Sequence, residues 1–250
     1  IAAGVRRVVA AMPDLNPAVA GRGFEKLRAA GMQVETGLRE NEARQLNEGF
    51  ARWITTKRPL VTMKVALTLD GRIAAPRRAA SVSLWITSEE SRAEVQQMRH
   101  ATDAVLTGIG TVLADNPLLT ERTGLPRRRP LVRVVLDSQL HLPRSSKLVQ
   151  TAQDDVLVYT RAAADSRRAR TLKKAGIEVV RIRGRKNQID LRAVVEDLGK
   201  REMLLVMIEG GARVNGAALA AEVVDKVVLF YAPKLLGADG VPFAAGAGRS

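Results

Sequence analysis

The 250-residue chain has no cysteine and only two histidines, His100 and His141. No disulfide framework or thiolate metal centre is possible, two histidines fall short of a histidine cage, and no metal site is expected. Aromatic residues make up 3% of the chain, too few for a surface that stacks nucleic-acid bases on interleaved rings. No run approaches the roughly 20 consecutive apolar residues of a membrane helix. Ile1 opens directly into fold-like sequence, without a charged leader or a small-residue cleavage site. Neither secretion nor membrane spanning is expected, and a cytoplasmic protein is. Chemistry must come from carboxylates, backbone groups or a bound cofactor.

What is present is an ordinary globular balance, 46% hydrophobic and 26% charged, with an unusual excess of cations. Forty Lys and Arg stand against 26 Asp and Glu, a formal charge of +14. Ten of the cations lie between Arg161 and Lys186, where only Asp165 and Glu178 oppose them. Such a segment attracts phosphorylated ligands, nucleic acid or acidic partners. Without aromatics inside it, a solvated, phosphate-tolerant face is expected rather than a nucleic-acid reader, although a basic RNA- or polyanion-binding module is the non-enzyme alternative.

Apolar periodicity switches repeatedly between strand-like runs and helix-like stripes, which predicts an α/β layered domain with a largely parallel sheet. Buried-strand candidates are Val5–Met12, Leu60–Leu67, Asp103–Thr107, Leu131–Asp137, Val156–Thr160, Ile177–Ile182, Met203–Ile208 and Lys226–Tyr231. Helix candidates are Gly23–Ala30, Glu40–Ile54, Glu89–His100, Ser166–Ala175, Leu191–Arg201 and Ala212–Glu222. Thr87 with Glu90 forms a capping-box pattern and Asp190 is placed as an N-cap. The polar segment Thr55–Pro59 predicts a boundary, with residues 1–57 too short to bury a core alone and so an appendage or remnant of another domain. Residues 123–130 and the tail from Ala244 read as flexible.

Three clusters carry possible chemistry. In MLLVMIEGGARVNGA (203–217), an apolar strand runs into Glu209, the turn Gly210-Gly211 and a helix bearing Gly216. A strand, glycine turn and helix N-terminus make an anion site, because unpaired N–H groups and the positive dipole end face the ligand. The spacing matches neither the dinucleotide fingerprint nor a Walker loop. In the second cluster, MKVALTLDGRIA (63–74) and SLWIT (83–87), Lys64 lies within an apolar strand, where it wants a partner. In the third, RHATDAVLTGIGTVLADNPLLTER (99–122), Thr111 and Asp115 are spaced for one helical face, and Arg99 and Arg122 could clamp a phosphate.

Together with RPLVTMKVALTLDGRIA, SLWITSEESR, PLVRVVLDS and VDKVVLFYAPKLLGAD, these clusters resemble the C-terminal reductase domain of the RibD deaminase-reductases of riboflavin biosynthesis, from about Arg58 onward. The stretch GVRRVVAAMPDLNPAVAGRGFEKLRAAGMQVETG resembles the tail of that family's deaminase domain. The resemblance implies a dihydrofolate-reductase-like α/β fold with a mixed, largely parallel sheet and flanking helices, preceded by a partial α/β deaminase segment at 1–57 and with the reductase at 58–250. It implies NADPH as cofactor, a phosphorylated ribosylaminopyrimidine as substrate, and a homodimer.

By motif match, Ala66, Trp85, Thr111, Asp115, Ser138 and the run Gly211, Ala212, Arg213, Val214, Asn215, Gly216 and Ala217 would contact NADPH. Ser83, Arg99, Leu119, Arg122 and Glu209 would contact the substrate, with the arginines at its phosphate. Asp115, Glu209 or water would supply the proton. The reaction implied is reduction of the ribose of 5-amino-6-(5-phosphoribosylamino)uracil, with a dihydrofolate-type reductase as the enzyme alternative on the same fold. The deaminase zinc signature, His-Ala-Glu with paired cysteines, is absent, so deamination is not expected of this chain.

Overall fold

The computed structural model describes residues 1–75, 86–163, 165–184 and 188–246. At the N-terminus, β1 (Arg7–Ala10), α1 (Arg22–Ala29), β2 (Gln33–Thr36) and α2 (Glu40–Leu46) form a small unit in which the two strands pair only with each other, in parallel. Its apolar residues Val5, Val9, Val19, Leu38 and Leu46 are exposed, and Met32 is its one buried hydrophobic. The helix expected over 40–54 is two helices, because Asn47 leaves the helical path and its side-chain amide donates back to the Ala43 carbonyl.

The second of these, α3 (Glu48–Thr56), packs on the main domain rather than on the small unit. Trp53 Nε1 donates to the Gly199 carbonyl at 2.8 Å, Arg52 pairs with Asp225 at 2.8 Å, and Lys226 pairs with Glu48. Glycine at 199 is required by this closeness, since a Cβ there would sit 2.1 Å from the Lys57 carbonyl oxygen. Lys57 closes the helix in a left-handed conformation, with its ammonium 4.4 Å from the centre of the Trp53 ring.

The main domain follows with β3 (Leu60–Thr68), β4 (Arg72–Ala74), α4 (Glu89–Ala101), β5 (Ala104–Gly108), α5 (Ile109–Asp115), β6 (Val132–Leu136), α6 (Lys147–Gln150), β7 (Val156–Thr160), α7 (Arg167–Lys173), β8 (Ile177–Arg181), α8 (Leu191–Lys200), β9 (Leu205–Ile208), α9 (Ala212–Ala220), β10 (Lys226–Ala232) and β11 (Val241–Pro242). Seven strands form one sheet in the order β10-β3-β9-β5-β6-β7-β8, every neighbouring pair parallel. The expected α/β class and largely parallel sheet are found; the antiparallel component is the short pair β4 and β11. Strands β5 and β7 are buried at every position, as strands covered by helices on both faces must be. One apolar layer gathers Val194, Leu198 and Ala218 against the sheet, and the other gathers Val112, Leu148 and Leu172.

Side-chain caps start four of the described helices, at Ser88, Ser146, Ser166 and Asp190. Asp190 caps α8 by accepting from the Arg192 and Ala193 amides. The cap of α4 is Ser88, which accepts from Ser91 N, and not Thr87, whose carbonyl instead receives Arg92. The loop expected to be flexible, 123–130, is fastened by Arg127, which donates to the carbonyls of Arg99, His100 and Thr102 at the end of α4. The tail beyond residue 246 lies outside the described residues.

Two charged residues, Arg133 and Asp137, are fully buried among the described residues. Arg133 on β6, 1% exposed, donates to both oxygens of Asp155 at 2.8 and 2.7 Å, and to Leu118 O, Thr151 Oγ1 and Thr151 O. This pairing ties the loop after α5 to the start of β7. Asp155→Ala leaves the guanidinium unpaired in the core and is expected to cost about 3–5 kcal/mol, measured by urea unfolding; the double variant Arg133→Met/Asp155→Leu should lose much less.

Candidate active site

In a parallel sheet all carboxyl ends lie on one edge, and ligands settle where the connections leave in opposite directions. Here that point lies between β5 and β9: the chain leaves β5 through α5 toward β6, and leaves β9 through α9 toward β10 at the opposite edge. The first and third sequence clusters meet there, and the second contributes β3 on the other side of β9. The register pairs Met63 with Ile208 and Leu106 with Ile208. One step further along, Lys64 and Thr107 flank Glu209, and Ala66 lies two residues beyond Lys64 on β3.

Glu209 is the centre of this arrangement. Arg99 Nε and Nη2 donate to its two carboxylate oxygens at 2.5 and 3.0 Å, and Lys64 Nζ lies 3.5 Å away. All three side chains are largely buried, between 11% and 15% exposed. Arg99 Nη1 also donates to the Thr120 carbonyl, and Thr107 Oγ1 donates to the Glu209 carbonyl at 2.7 Å. Burial pushes the Glu209 carboxyl upward, but the Arg99 guanidinium and the Lys64 ammonium outweigh it and hold the group below the usual glutamate range. A carboxylate so held is a poor proton donor at neutral pH.

The glycine turn lies beside it. Gly211 precedes α9 as its N-cap with no side chain capping the helix; its carbonyl accepts from Val214 N and Asn215 N, and the Ala212 and Arg213 amides have no partner among the described residues. A Cβ on Gly211 would meet only Thr111 Oγ1, at 3.4 Å, so the turn and α5 face each other across a narrow slot. Asn215 is fully buried; its amide donates to the Phe243 carbonyl, while its Oδ1, beside Gly210, has no partner. Gly216 lies one turn inside α9 rather than at its start, and its lack of a Cβ admits the backbone of Ala245, whose oxygen would be 1.9 Å from that atom. Arg213, Val214 and Ala217 continue the same helix, with Val214 against Gly108.

The other candidates divide. Thr111 and Asp115 lie one turn apart on α5, and partial desolvation raises the Asp115 carboxyl above the usual aspartate range. Ser138 follows β6, the strand beside β5, and its carbonyl accepts from Arg161 N and Thr160 Oγ1. Leu119 adopts a left-handed conformation with its side chain buried in the core, so only its backbone can face a ligand. Arg122 is exposed and makes no side-chain bond among the described residues. Arg99 has its fork occupied by Glu209 and the Thr120 carbonyl. Ser83 and Trp85 lie outside the described residues. Lys64 and Thr107 were not among the expected site residues; a lysine and a threonine inside otherwise aliphatic strands are the signals that mark them. Among the described residues, no group of three or more His, Asp or Glu could hold a metal ion.

Residues 59–250 match the RibD C-terminal domain family. This chain belongs to that family. It is 40% identical over 234 residues to the riboflavin biosynthesis protein RibD of Actinobacillus pleuropneumoniae, covering 94% of this chain and 61% of the relative. RibD of Escherichia coli is 39% identical over 250 residues, with 96% and 66% covered. Among solved structures, the Thermotoga maritima diaminohydroxyphosphoribosylaminopyrimidine deaminase/5-amino-6-(5-phosphoribosylamino)uracil reductase superposes with a TM-score of 0.83 at 33% identity, over all of this chain and 65% of that one. Acinetobacter baumannii RibD gives 0.81 at 34%, covering 97% and 65%. The chain thus spans less than two thirds of the length of these relatives, and it has the fold and sequence of the reductase domain of riboflavin biosynthesis.

Acid titration tests the state of Glu209. Its lowered folded value contributes stability that is fully present above the ordinary value near 4.5 and is lost as pH falls through the folded value. Glu209→Gln is therefore expected to be less stable than wild type at pH 7, with Arg99 and Lys64 left unneutralised, and to show a shallower loss of unfolding free energy below pH 4.5. Parallel acid limbs in the two proteins would refute this.

Proposed function

We infer that this chain uses NADPH to reduce the ribose of 5-amino-6-(5-phosphoribosylamino)uracil to the ribitylamino phosphate. The observation that carries the reading is the meeting of an uncapped glycine-led helix and a buried carboxylate-cation cluster at one switch point of a parallel sheet. The similar Thermotoga maritima protein, a 5-amino-6-(5-phosphoribosylamino)uracil reductase, supports the same substrate.

The residues present fit a dinucleotide. The unpartnered Ala212 and Arg213 amides at the first turn of α9 suit a phosphate, and the orphaned Asn215 Oδ1 is a buried acceptor nearby that suits a hydroxyl or amide donor. Gly211, Ala212, Arg213, Val214, Asn215, Gly216 and Ala217, with Ala66, Thr111, Asp115 and Ser138, would hold NADPH across the carboxyl ends of β3, β9, β5 and β6. When bound, its nicotinamide supplies the hydride for the ribose C1 carbon. Glu209 orients Arg99 and Lys64 and excludes water from the cluster, and the Leu119 backbone and Arg122 bound the substrate side, with Arg122 free to meet a phosphate. Of the two carboxyls considered as proton donors, desolvation favours the protonated form of Asp115, whereas Arg99 and Lys64 hold Glu209 ionised; water is the alternative source.

Residues 1–57 would be the end of a deaminase domain whose remainder belongs to a longer parent, in keeping with the greater length of the relatives. The homodimer belongs to the same reading: Val227, Leu229 and Tyr231 form an exposed apolar row on the edge strand β10, where a second copy could cover them.

NADPH oxidation in the presence of 5-amino-6-(5-phosphoribosylamino)uracil tests the activity directly, and no consumption of either compound would refute it. Gly211→Val keeps an ordinary backbone conformation but fills the slot, so the dissociation constant for NADPH should rise by about tenfold or more. Arg122→Ala should raise KM for the phosphorylated substrate while leaving NADPH affinity unchanged.

A further inference from the structure

The last turn of α4 holds the loop after α5 at two places. Arg99 donates to the Thr120 carbonyl, and the next residue, His100, reaches the same loop three residues on. His100 Nδ1 lies 3.2 Å from Thr123 Oγ1 and 3.6 Å from a carboxylate oxygen of Glu121. The side chains of His100 and Glu121 are 23% and 13% exposed, so the pair is shielded but still within reach of solvent protons. The hydrogen bonds assign the ring's proton. Thr123 has one hydroxyl hydrogen, which it donates to Glu121 Oε2 at 2.6 Å, while its oxygen accepts from Leu125 N at 3.2 Å. The contact with His100 is therefore a donation from Nδ1–H, and Nε2, which has no bond among the described residues, is the nitrogen that titrates.

The charges around the ring favour its cationic form. The hydroxyl and amide that Thr123 donates to Glu121 hold that carboxyl below the usual glutamate range, so it stays ionised across the span in which a histidine changes charge. The negative end of the α4 dipole lies at the same turn. Arg127 is the opposing cation, but its guanidinium is engaged by the carbonyls of Arg99, His100 and Thr102. Arg99 itself is turned to Glu209, and just past the helix end Arg129 and Asp103 face each other at 3.8 Å. Between Glu121 and Thr123, the two residues that His100 touches, stands the exposed Arg122. We propose that His100 is a positioning residue for the substrate phosphate: once protonated, it closes an ion pair with Glu121 and fixes the loop of residues 119–123, so that Arg122 has less freedom to lose when it meets the phosphate. This rests on the substrate reading given above.

The test compares the whole chain with His100→Gln, which keeps a neutral donor toward Thr123, and with Glu121→Gln, which keeps an acceptor. In the NADPH oxidation assay, KM for 5-amino-6-(5-phosphoribosylamino)uracil in His100→Gln should exceed that of wild type by about two- to fivefold near pH 5.5, the worth of an ion pair that solvent reaches, and should match it near pH 8.5, with the change in KM rather than kcat. The second ionisation of the substrate phosphate, near pH 6, acts on both proteins alike and cancels in the ratio. Glu121→Gln should show the same dependence. With two histidines in the chain, the NMR signal missing from His100→Gln identifies His100. By linkage, saturating substrate, with NADP⁺ in place of NADPH so that nothing is consumed, should raise the midpoint of its titration in wild type by several tenths of a pH unit, roughly the logarithm of the same factor, and leave it unmoved in Glu121→Gln. A KM ratio constant across pH, or a midpoint unmoved by substrate in a wild type that turns it over, overturns the proposal with the reductase reading intact. Wild type that oxidises no NADPH with this substrate overturns that reading and the proposal with it.

Discussion

A carboxylate buried at the end of a strand has to be neutralised, and the way Glu209 is neutralised organises the functional edge of this domain. Its two partners come from distant chain segments: Arg99 is 110 residues away at the end of α4, and Lys64 lies on β3. Satisfying one charge therefore fixes α4, β3 and β9 against one another. Through the bond from Arg99 to the Thr120 carbonyl, it also fixes the loop that carries Leu119 and Arg122. Such an ion cluster adds little net stability relative to a well-packed apolar one, but removing a single member is costly, which suits a group that sets geometry.

The glycine turn depends on that frame. Gly210 and Gly211 follow Glu209 directly, so the residues anchoring the carboxylate also aim the first turn of α9. Thr107 holds the Glu209 carbonyl and Gly108 leaves room for Val214, so the β5 and β9 turns are joined by a hydrogen bond and by packing. Binding chemistry on one side and a charge cluster on the other are consequences of one strand end.

Much of this was legible in the sequence. Strands such as Val156–Thr160, aliphatic and bounded by polar turns, read correctly because burial on both faces leaves a local imprint. The short strand Gln33–Thr36 left none, being mostly polar and exposed. The break at Asn47 was also silent, since neither glycine nor proline marks it and an amide bond one turn back makes it. The motifs single out Glu209, Thr111, Asp115 and the glycine turn, and the fold brings them to one edge of the sheet, whereas the pairing of Arg99 with Glu209 has no local pattern, because the partners are 110 residues apart. Arg127 and Arg133 show the same limit, because their partners are 25 to 28 and 15 to 22 residues away and no local pattern announces them.

The docking of α3 has a mechanical consequence. The polar segment at 55–59 looks in sequence like a place where the chain would bend, yet Trp53 on Gly199, Arg52 on Asp225 and the tight approach of Lys57 to Gly199 bolt the helix to α8 and to the start of β10 just before it. A pull on the N-terminal unit is carried into the layer of helices over the sheet instead of being absorbed at the linker. The break in the helical path lies earlier, at Asn47, between α2 and this docked helix.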